Sequence, residues 1–232
     1  MLSVQKVSKA YGELPVVRNL SLEVDRGEIV ALIGPSGCGK STLLNMISGL
    51  IQPDSGRIEK GDVKLSYMFQ KARLLPWRTV YQNIALVREN ASKDETERLI
   101  QAVGLGGFEN YYPGQLSGGM AKRCALARAF HYQGDVLLMD EPFQGLDYGI
   151  RMEMLSMLIS IWKQKKQGIL FVTHEIDEAL TAATKIAVLK ARPTAVQEVL
   201  CLPGQVGRDA ASPELAKIRG HIIHEMMQEP QA

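Results

Sequence analysis

The sequence predicts an α/β protein: a core with a mostly parallel sheet, an antiparallel β lobe at the N-terminal end and an inserted helical subdomain. Three observations predict this class. Short apolar segments alternate with helical patterns, a glycine-rich turn links one apolar segment to the next helix, and a helical stretch interrupts the strand pattern in mid-chain. Strands joined by helices form parallel sheets, because each helix returns the chain to the edge where the previous strand began.

The strands are predicted from short runs rich in apolar residues, and residues 20–24 also alternate apolar and polar with period two. The predicted strands are residues 3–7, 20–24, 28–33, 63–69, 136–139, 169–173 and 186–189. Helices are predicted from Lys40 onwards, over 96–103, over 151–166 and from Ser212 onwards. The apolar face of the third helix is formed by Met154, Leu155, Leu158, Ile161 and Trp162.

The same patterns divide the chain into parts. Residues 1–70 and 129–211 are predicted to form the core with its β lobe, because the apolar strands fall within them. Residues 71–128 are predicted to be a helical subdomain, and residues 212–232 a closing helix. His221 and His224 lie one turn apart on that last helix. With no third ligand in a recognisable pattern, a packing or solvated role is favoured over a metal site.

Composition restricts the class of protein. Hydrophobic residues make up 46% and charged residues 22%, as in ordinary soluble proteins, and the net charge of +2 gives no electrostatic case for a nucleic-acid partner. We expect no signal peptide and no membrane-spanning helix, since no run approaches the roughly 20 apolar residues required. Cys38, Cys124 and Cys201 are widely spaced and odd in number, which favours reduced thiols.

A glycine-rich segment between the strand at 28–33 and the helix from Lys40 carries the P-loop pattern. Its residues are Gly34, Pro35, Ser36, Gly37, Cys38, Gly39, Lys40, Ser41 and Thr42. The glycines let the backbone fold around phosphate groups, and the following helix adds its positive end. We expect Lys40 to contact the β- and γ-phosphates, Ser41 to ligate Mg²⁺ and the Cys38 thiol to border the phosphates. A plain glycine turn is the alternative, which the full pattern disfavours.

A second motif places two carboxylates after the apolar strand at 136–139. Parallel sheets bind ligands at the carboxyl ends of their strands, which is where Asp140 and Glu141 fall. Asp140 is predicted to hold Mg²⁺. Glu141 is predicted to act as the general base that polarises the attacking water. An apolar strand that ends in acidic residues is common and by itself indicates little. Together with the glycine-rich loop, it indicates a nucleotide-binding site.

A third motif, Ser117-Gly118-Gly119, lies in the helical subdomain. Ser117 can cap the following helix, and the two glycines leave the first N–H groups of that helix open. The sequence therefore predicts a second helix end able to bind phosphate, although a flexible turn is the simple alternative. Because one nucleotide cannot readily reach both helix ends within one compact chain, a second copy of the protein is suggested.

In this order and over almost the whole chain, the motifs resemble the ATP-binding subunit of ABC transporters. The resemblance implies a P-loop NTPase core of the RecA-like type, with ATP and Mg²⁺ as cofactors. It also implies roles for residues that carry little information alone. These are Gln70 as the glutamine that contacts Mg²⁺, Asp147 in the D-loop, His174 near the γ-phosphate and Tyr11 stacked on adenine.

Residues 74–84 and 188–193 are similar to one subfamily, the importers of nitrate, sulfonates and taurine. Importers of pyrimidine precursors have similar sequences in these segments. The resemblance implies a homodimer that closes head to tail around two ATP beneath separate transmembrane permease subunits, at the cytoplasmic face of the membrane. A periplasmic or extracellular solute-binding protein would take part indirectly. Trp77 is a candidate for the contact with the permease, or else a core residue.

Two other functions are compatible with the motifs. One is a soluble ABC ATPase acting on DNA or ribosomes, which the single cassette disfavours, and the other is a scaffold that binds ATP without hydrolysing it. Glu141 and His174 argue against the scaffold. The chain also departs from the family pattern at three points: Gly145 replaces the commoner alanine, Ala121-Lys122-Arg123 replaces Arg-Gln-Arg, and 181–185 differs from Leu-Ala-Asp-Arg.

Overall fold

The computed structural model describes residues 1–88 and 90–227, which form two sheets and seven α-helices within that part of the chain. The strands are β1 (Leu2–Tyr11), β2 (Leu14–Val24), β3 (Ile29–Ile33), β4 (Ser55–Glu59), β5 (Leu65–Met68), β6 (Val136–Asp140), β7 (Gly168–Thr173), β8 (Lys185–Leu189) and β9 (Val196–Cys201). The helices are α1 (Lys40–Ser48), α2 (Val80–Ala85), α3 (Lys93–Ala102), α4 (Gly118–His131), α5 (Tyr148–Lys165), α6 (Ile176–Ala182) and α7 (Pro213–Met227).

The larger sheet has six strands in the order β5-β6-β7-β3-β8-β9. All neighbours pair in parallel except β9, which runs antiparallel to β8 at the edge. Strands β3 and β7 are buried along their whole length, since both faces of the sheet are covered by other elements. The prediction of a mostly parallel α/β core is therefore confirmed.

The smaller sheet is antiparallel, in the order β2-β1-β4, and forms the predicted N-terminal lobe. Its inner face joins α1 and one face of the large sheet in a common apolar core, which includes Val4, Leu22, Val30 and Leu44. The other face of the large sheet packs against α4, α5 and α6 in a second core, represented by Phe130, Leu158 and Leu180. The carboxyl ends of β3, β6 and β7 thus lie between two rigid layers.

The segment predicted to be helical contains α2, α3, a short 3₁₀ turn at Pro113–Gln115 and most of α4. Asn83 of α2 is fully buried and bonds to the backbone of Leu75 and Arg78, which holds the preceding loop in place. The predicted border between residues 128 and 129 falls inside α4, which continues to His131. The division of the chain into subdomains stays a prediction.

The sequence did not indicate β4 or β9, because both are edge strands with mostly polar or half-exposed residues. The apolar face predicted on α5 is buried, as expected. On α7, Leu215 and Ile222 are buried, and residues 228–232 of the predicted closing helix lie outside the described residues. His221 is exposed and pairs with Glu198 at 2.6 Å, which supports a solvated role.

No helix within residues 1–88 and 90–227 combines the length and the apolar character that crossing a membrane requires. Within the same ranges, no cluster of three or more histidine, cysteine or acidic side chains has the arrangement of a protein-only metal site.

Candidate active site

The glycine-rich loop connects β3 to α1, as its sequence predicts, and its fold depends on glycine at position 39. Gly39 has φ of 122°, and a Cβ there would lie 2.8 Å from the Cγ1 of Val16. A side chain would therefore be strained by both the backbone conformation and the contact. The loop closes tightly against β2, and the N-terminal end of α1 faces the cavity beside it.

Lys40 is buried at the first turn of α1, with 5% of its surface exposed. Its Nζ donates hydrogen bonds to the carbonyl oxygens of Gly34, at 2.7 Å, and Pro35, at 2.8 Å. Both partners are neutral, so these contacts do not neutralise the ammonium charge. A buried cation held by carbonyls of its own loop is suited to an anionic ligand such as a phosphate group.

Ser41, in the first turn of α1, contacts Asp140, the last residue of β6. The Ser41 hydroxyl donates to Oδ1 of Asp140 at 3.0 Å, and burial raises the pKa of that carboxyl group while the hydrogen bond lowers it. A hydroxyl and a carboxylate side by side are the oxygen ligands that Mg²⁺ takes together with phosphate oxygens. Gln70 lies in the loop after β5, where its side-chain amide donates to the side-chain oxygen of Gln144. The donor set of Ser41, Asp140 and Gln70 fits Mg²⁺.

Glu141 follows β6 in an unusual backbone conformation for a residue with a side chain, with φ of 45°. Its N–H donates to Val172 of β7 at 3.1 Å, which fixes the turn. Within the part of the chain that the structure describes, Oε2 is buried and accepts no hydrogen bond, although Nδ1 of His174 lies 3.5 Å away. Strained backbone and unpaired buried oxygens are concentrated at functional sites, and here they leave a carboxylate oxygen able to accept a proton.

Lys40, Ser41 and Glu141 border one cavity of about 280 Å³, whereas Asp140, Gln70 and His174 are not among the residues that line it. Its walls are formed by Tyr11, Leu14, Val16, Gly37, Gly39, Lys40, Ser41, Thr42, Glu141 and Arg192. Tyr11 is 52% exposed, so one face of its ring is free to stack on a planar group. A larger cavity of about 900 Å³ lies between the lobe and β9, but the residues predicted to carry chemistry do not line it.

The Ser117 motif is placed elsewhere. Ser117 caps α4, accepting a hydrogen bond from the N–H of Met120 at 3.2 Å, as its sequence predicts. Gly118 is exposed and Gly119 half-buried, and neither lines the cavity described above. Asp147 precedes α5 without a side-chain capping bond, beyond a turn in which Gly145 has φ of 73°. A glycine favours that turn, which gives a structural reason for its presence instead of alanine.

Sequence reasoning missed two residues near the site. The Nε of Arg192 donates to the carbonyl oxygen of Gly37 at 2.6 Å and so braces the glycine-rich loop. Glu178 of α6 is 4% exposed, and burial raises its pKa to about 7. Arg192 lies in the segment 188–193 that marked the subfamily, whereas Glu178 in an amphipathic helix gave no sign of its burial.

One expectation about the loop is wrong. The Cys38 thiol does not border the phosphate side of the loop, because the residue is 2% exposed and is absent from the cavity walls. Its sulfur lies 3.5 Å from the position a Cβ of Gly34 would take, which places it inside the loop. The backbone N–H of Cys38 donates to the carbonyl oxygen of Pro35 at 3.3 Å, within the loop itself.

The fold and the site together define a P-loop nucleoside triphosphatase: a glycine-rich loop with a buried lysine before α1, and two carboxylates at the end of β6. Residues 17–144 match the ABC transporter family, more than half of the chain. The chain belongs to that family, and it is an ATP-binding subunit with ATPase activity. The resemblance seen in the sequence is thereby confirmed.

Two curated relatives extend the comparison over the whole chain. The aliphatic sulfonates import ATP-binding protein SsuB of a Bacillus cereus strain is 38% identical over 238 aligned residues, covering 97% of this chain and 95% of the relative. The aliphatic sulfonates import ATP-binding protein SsuB 2 of Pseudomonas syringae pv. tomato is 39% identical over 221 residues, 95% of each chain.

Solved structures agree in fold. An ATP-binding subunit of an ABC transporter superposes with a TM-score of 0.79 at 25% identity and covers 98% of this chain and 100% of its own. The cassette MJ0796, a dimer bound to ADP and phosphate, superposes with a TM-score of 0.75 at 28% identity over 88% of this chain and 100% of its own.

Proposed function

We propose that this protein is the ATPase of an importer for a small sulfonate-like solute such as an aliphatic sulfonate or taurine, or for nitrate. The observation that carries ATP hydrolysis is the unpaired Oε2 of Glu141 beside the Ser41–Asp140 pair and the buried Lys40. Import of a sulfonate is supported by the function for which the relatives at 38% and 39% identity are named. A pyrimidine- or thiamine-precursor importer is the alternative within the family.

ATP binding rests on the residues of the cavity. Backbone N–H groups from Gly34 to Thr42 and the ammonium of Lys40 would hold the β- and γ-phosphates, and Tyr11 would stack on adenine. Ser41, Asp140 and Gln70 would hold Mg²⁺, which supplies charge neutralisation for the phosphate oxygens. The pairing of Ser41 with Asp140 at 3.0 Å supports this, since both oxygens already face the same point.

Glu141 would accept the proton of the water that attacks the γ-phosphate. Its Oε2 lacks a hydrogen-bond donor within the described residues, so a water proton would have no competitor there. His174, with Nδ1 3.5 Å from that oxygen, would orient the carboxylate and face the γ-phosphate. The oxygen of the attacking water would bond to the γ-phosphorus while the bond from that phosphorus to the bridging oxygen breaks. The proton of the water would pass to Glu141.

The second phosphate-binding end supports a dimer. Ser117, Gly118 and Gly119 stand at the open start of α4, away from the cavity walls, so they would serve the ATP of a partner copy. Asp147, with no capping bond of its own, would lie at the same junction. Two copies arranged head to tail would enclose two ATP, as would suit a family whose solved cassettes include dimers.

The contact with the membrane permease would lie on the loop after Gln70. Trp77 is 67% exposed, which disfavours the alternative of a core tryptophan and suits the centre of an interface. The protein would then lie at the cytoplasmic face of the membrane, with an extracytoplasmic solute-binding protein delivering the solute to the permease. Purification with a polytopic membrane subunit would support this proposal, and purification with DNA or ribosomes would contradict it.

The proposed hydrolysis is tested by Glu141→Gln. The amide keeps the size of the side chain but cannot accept a proton, so hydrolysis should fall by a factor on the order of 10²–10⁴, while ATP affinity should persist because Lys40 is unchanged. ATPase rates and ATP affinity are measured on this variant and on His174→Ala. The matched control is Glu97→Gln, which removes an exposed carboxylate of α3. Near-normal hydrolysis by Glu141→Gln would overturn the assignment of the base.

A further inference from the structure

Lys122 connects α4 to the loop that carries Glu141, and it is one of the positions at which this chain departs from the usual family pattern. It lies on the second turn of α4, five residues after Ser117, and is half-buried. Its Nζ donates a hydrogen bond to the carbonyl oxygen of Gln144. The contact joins the helical subdomain to the segment between Glu141 and Asp147.

Gln144 is held from three directions. Its carbonyl accepts from Lys122, its side-chain oxygen accepts from Gln70, and its N–H donates to the carbonyl oxygen of Glu141 at 3.2 Å. The residue itself is exposed, so apolar packing does not fix it. The turn at Gly145 follows immediately. Phe143 and Leu146 anchor the loop on either side by burial in the apolar core, and the exposed turn between them depends on these polar contacts.

The charge of Lys122 also interacts with two carboxyl groups, those of Glu178 and Glu141. Burial lowers the pKa of Lys122, and the charges of Glu178 and Glu141 oppose that effect. Glu178 is held by the Thr173 hydroxyl at 2.5 Å and lies 3.7 Å from Arg151, which pairs with Glu175 at 2.6 Å. A glutamine in place of Lys122 would supply neither this charge nor its reach.

We propose that Lys122 is a positioning residue for ATP hydrolysis: by binding the carbonyl of Gln144, it holds the 141–147 loop against α4 so that Glu141 keeps its place beside the ATP. This inference rests on the proposed function. Lys122 acts through the loop and touches neither phosphate nor metal. The start of α4 at Ser117 and the base at Glu141 are thereby joined within one chain, so that a displacement of α4 moves the base.

The test uses the full-length chain with Lys122→Met and Lys122→Arg. Methionine keeps the length but loses the donor and the charge, whereas arginine keeps both. The expected loss in kcat for Lys122→Met is about tenfold, the effect of one hydrogen bond from a charged group, with KM for ATP changed less than about twofold. Lys122→Arg should recover most of kcat. Lys93→Met, which removes a 75% exposed lysine of α3, is the control and should behave as wild type.

Amide hydrogen exchange of the nucleotide-free protein gives a measurement independent of activity. Amides of residues 143–147 should exchange about tenfold faster in Lys122→Met than in wild type, because local opening is favoured by the lost contact. If Lys122→Met does not fold, Lys122→Gln is measured in the same way. A kcat within twofold of wild type, unchanged exchange, or equal losses in Lys122→Met and Lys122→Arg would overturn the proposal.

The two proposals fail in different ways. If Lys40→Ala hydrolyses ATP as fast as wild type, the proposed function is wrong, while the exchange measurement still tests the contact of Lys122 with the loop. If Lys40→Ala is inactive and Lys122→Met has normal kcat, only the positioning role is wrong.

Discussion

Replacing Glu178 with glutamine is expected to change how folding stability depends on pH. The carboxyl group is 4% exposed, and burial raises its pKa from the usual 4.5 to about 7, against the opposing effects of the Thr173 hydroxyl and Arg151. An acid whose pKa is higher in the folded state binds its proton more tightly there than in the unfolded chain. Its contribution to stability is fully present below pH 4.5 and is lost as the pH rises through about 7.

The size of the effect follows from these two pKa values. With about 1.4 kcal/mol per pKa unit, the wild-type protein should lose roughly 2 to 3 kcal/mol through this group between about pH 5 and pH 8. Glutamine cannot ionise, so the variant lacks this loss. Whatever its stability at the lower pH, Glu178→Gln should therefore gain roughly 2 to 3 kcal/mol relative to wild type on going to the higher pH.

Urea unfolding of both proteins at the two pH values measures this difference. Glu97→Gln serves as the control, because its carboxyl group is 44% exposed and its removal should leave the pH dependence unchanged. The comparison between proteins cancels the contributions of the titrating groups that do not interact with Glu178. A difference between Glu178→Gln and wild type that stays constant within about 0.5 kcal/mol would show that the carboxyl group is not held protonated by burial.

The remaining predictions concern the dimer and the thiols. Ser117→Arg, introduced together with Glu141→Gln, should leave ATP binding to the isolated chain intact. It should abolish the ATP-induced dimer seen by light scattering, since a bulky cation blocks the start of α4. An unchanged dimer would contradict the head-to-tail arrangement. Maleimide should add once to the native protein, at Cys201, because Cys38 and Cys124 are buried. Mass spectrometry that locates a second adduct at Cys38 before unfolding would contradict the packing of the glycine-rich loop.

The local motifs could be read from the sequence because their structure depends on neighbours in the chain. The loop before Lys40 folds as predicted since its glycines and the helix that follows are contiguous, and Ser117 caps α4 through a bond to a residue three positions away. The buried strands were indicated for a similar reason: an apolar run such as β6 must be covered on both faces.

Contacts between distant segments of the chain were decided only by the tertiary structure. Arg192 braces Gly37 across 155 residues, and Thr184 bonds to Ile29, the first residue of β3, across the same separation. The edge strands β4 and β9 exist because neighbouring strands offer free backbone groups, whatever their own side chains. No pattern within either segment carries that information.

The state of the buried charges was decided in the same way. Glu178 and Lys122 are ordinary helix residues in the sequence, and each becomes desolvated because α4, α5 and α6 pack around the end of β7. The sequence by itself determined which chemical groups the site contains, because side-chain identity and local backbone geometry are written in contiguous residues. Burial, hydrogen-bond partners and pKa depend on how separate elements pack, and these were determined only when the chain had folded.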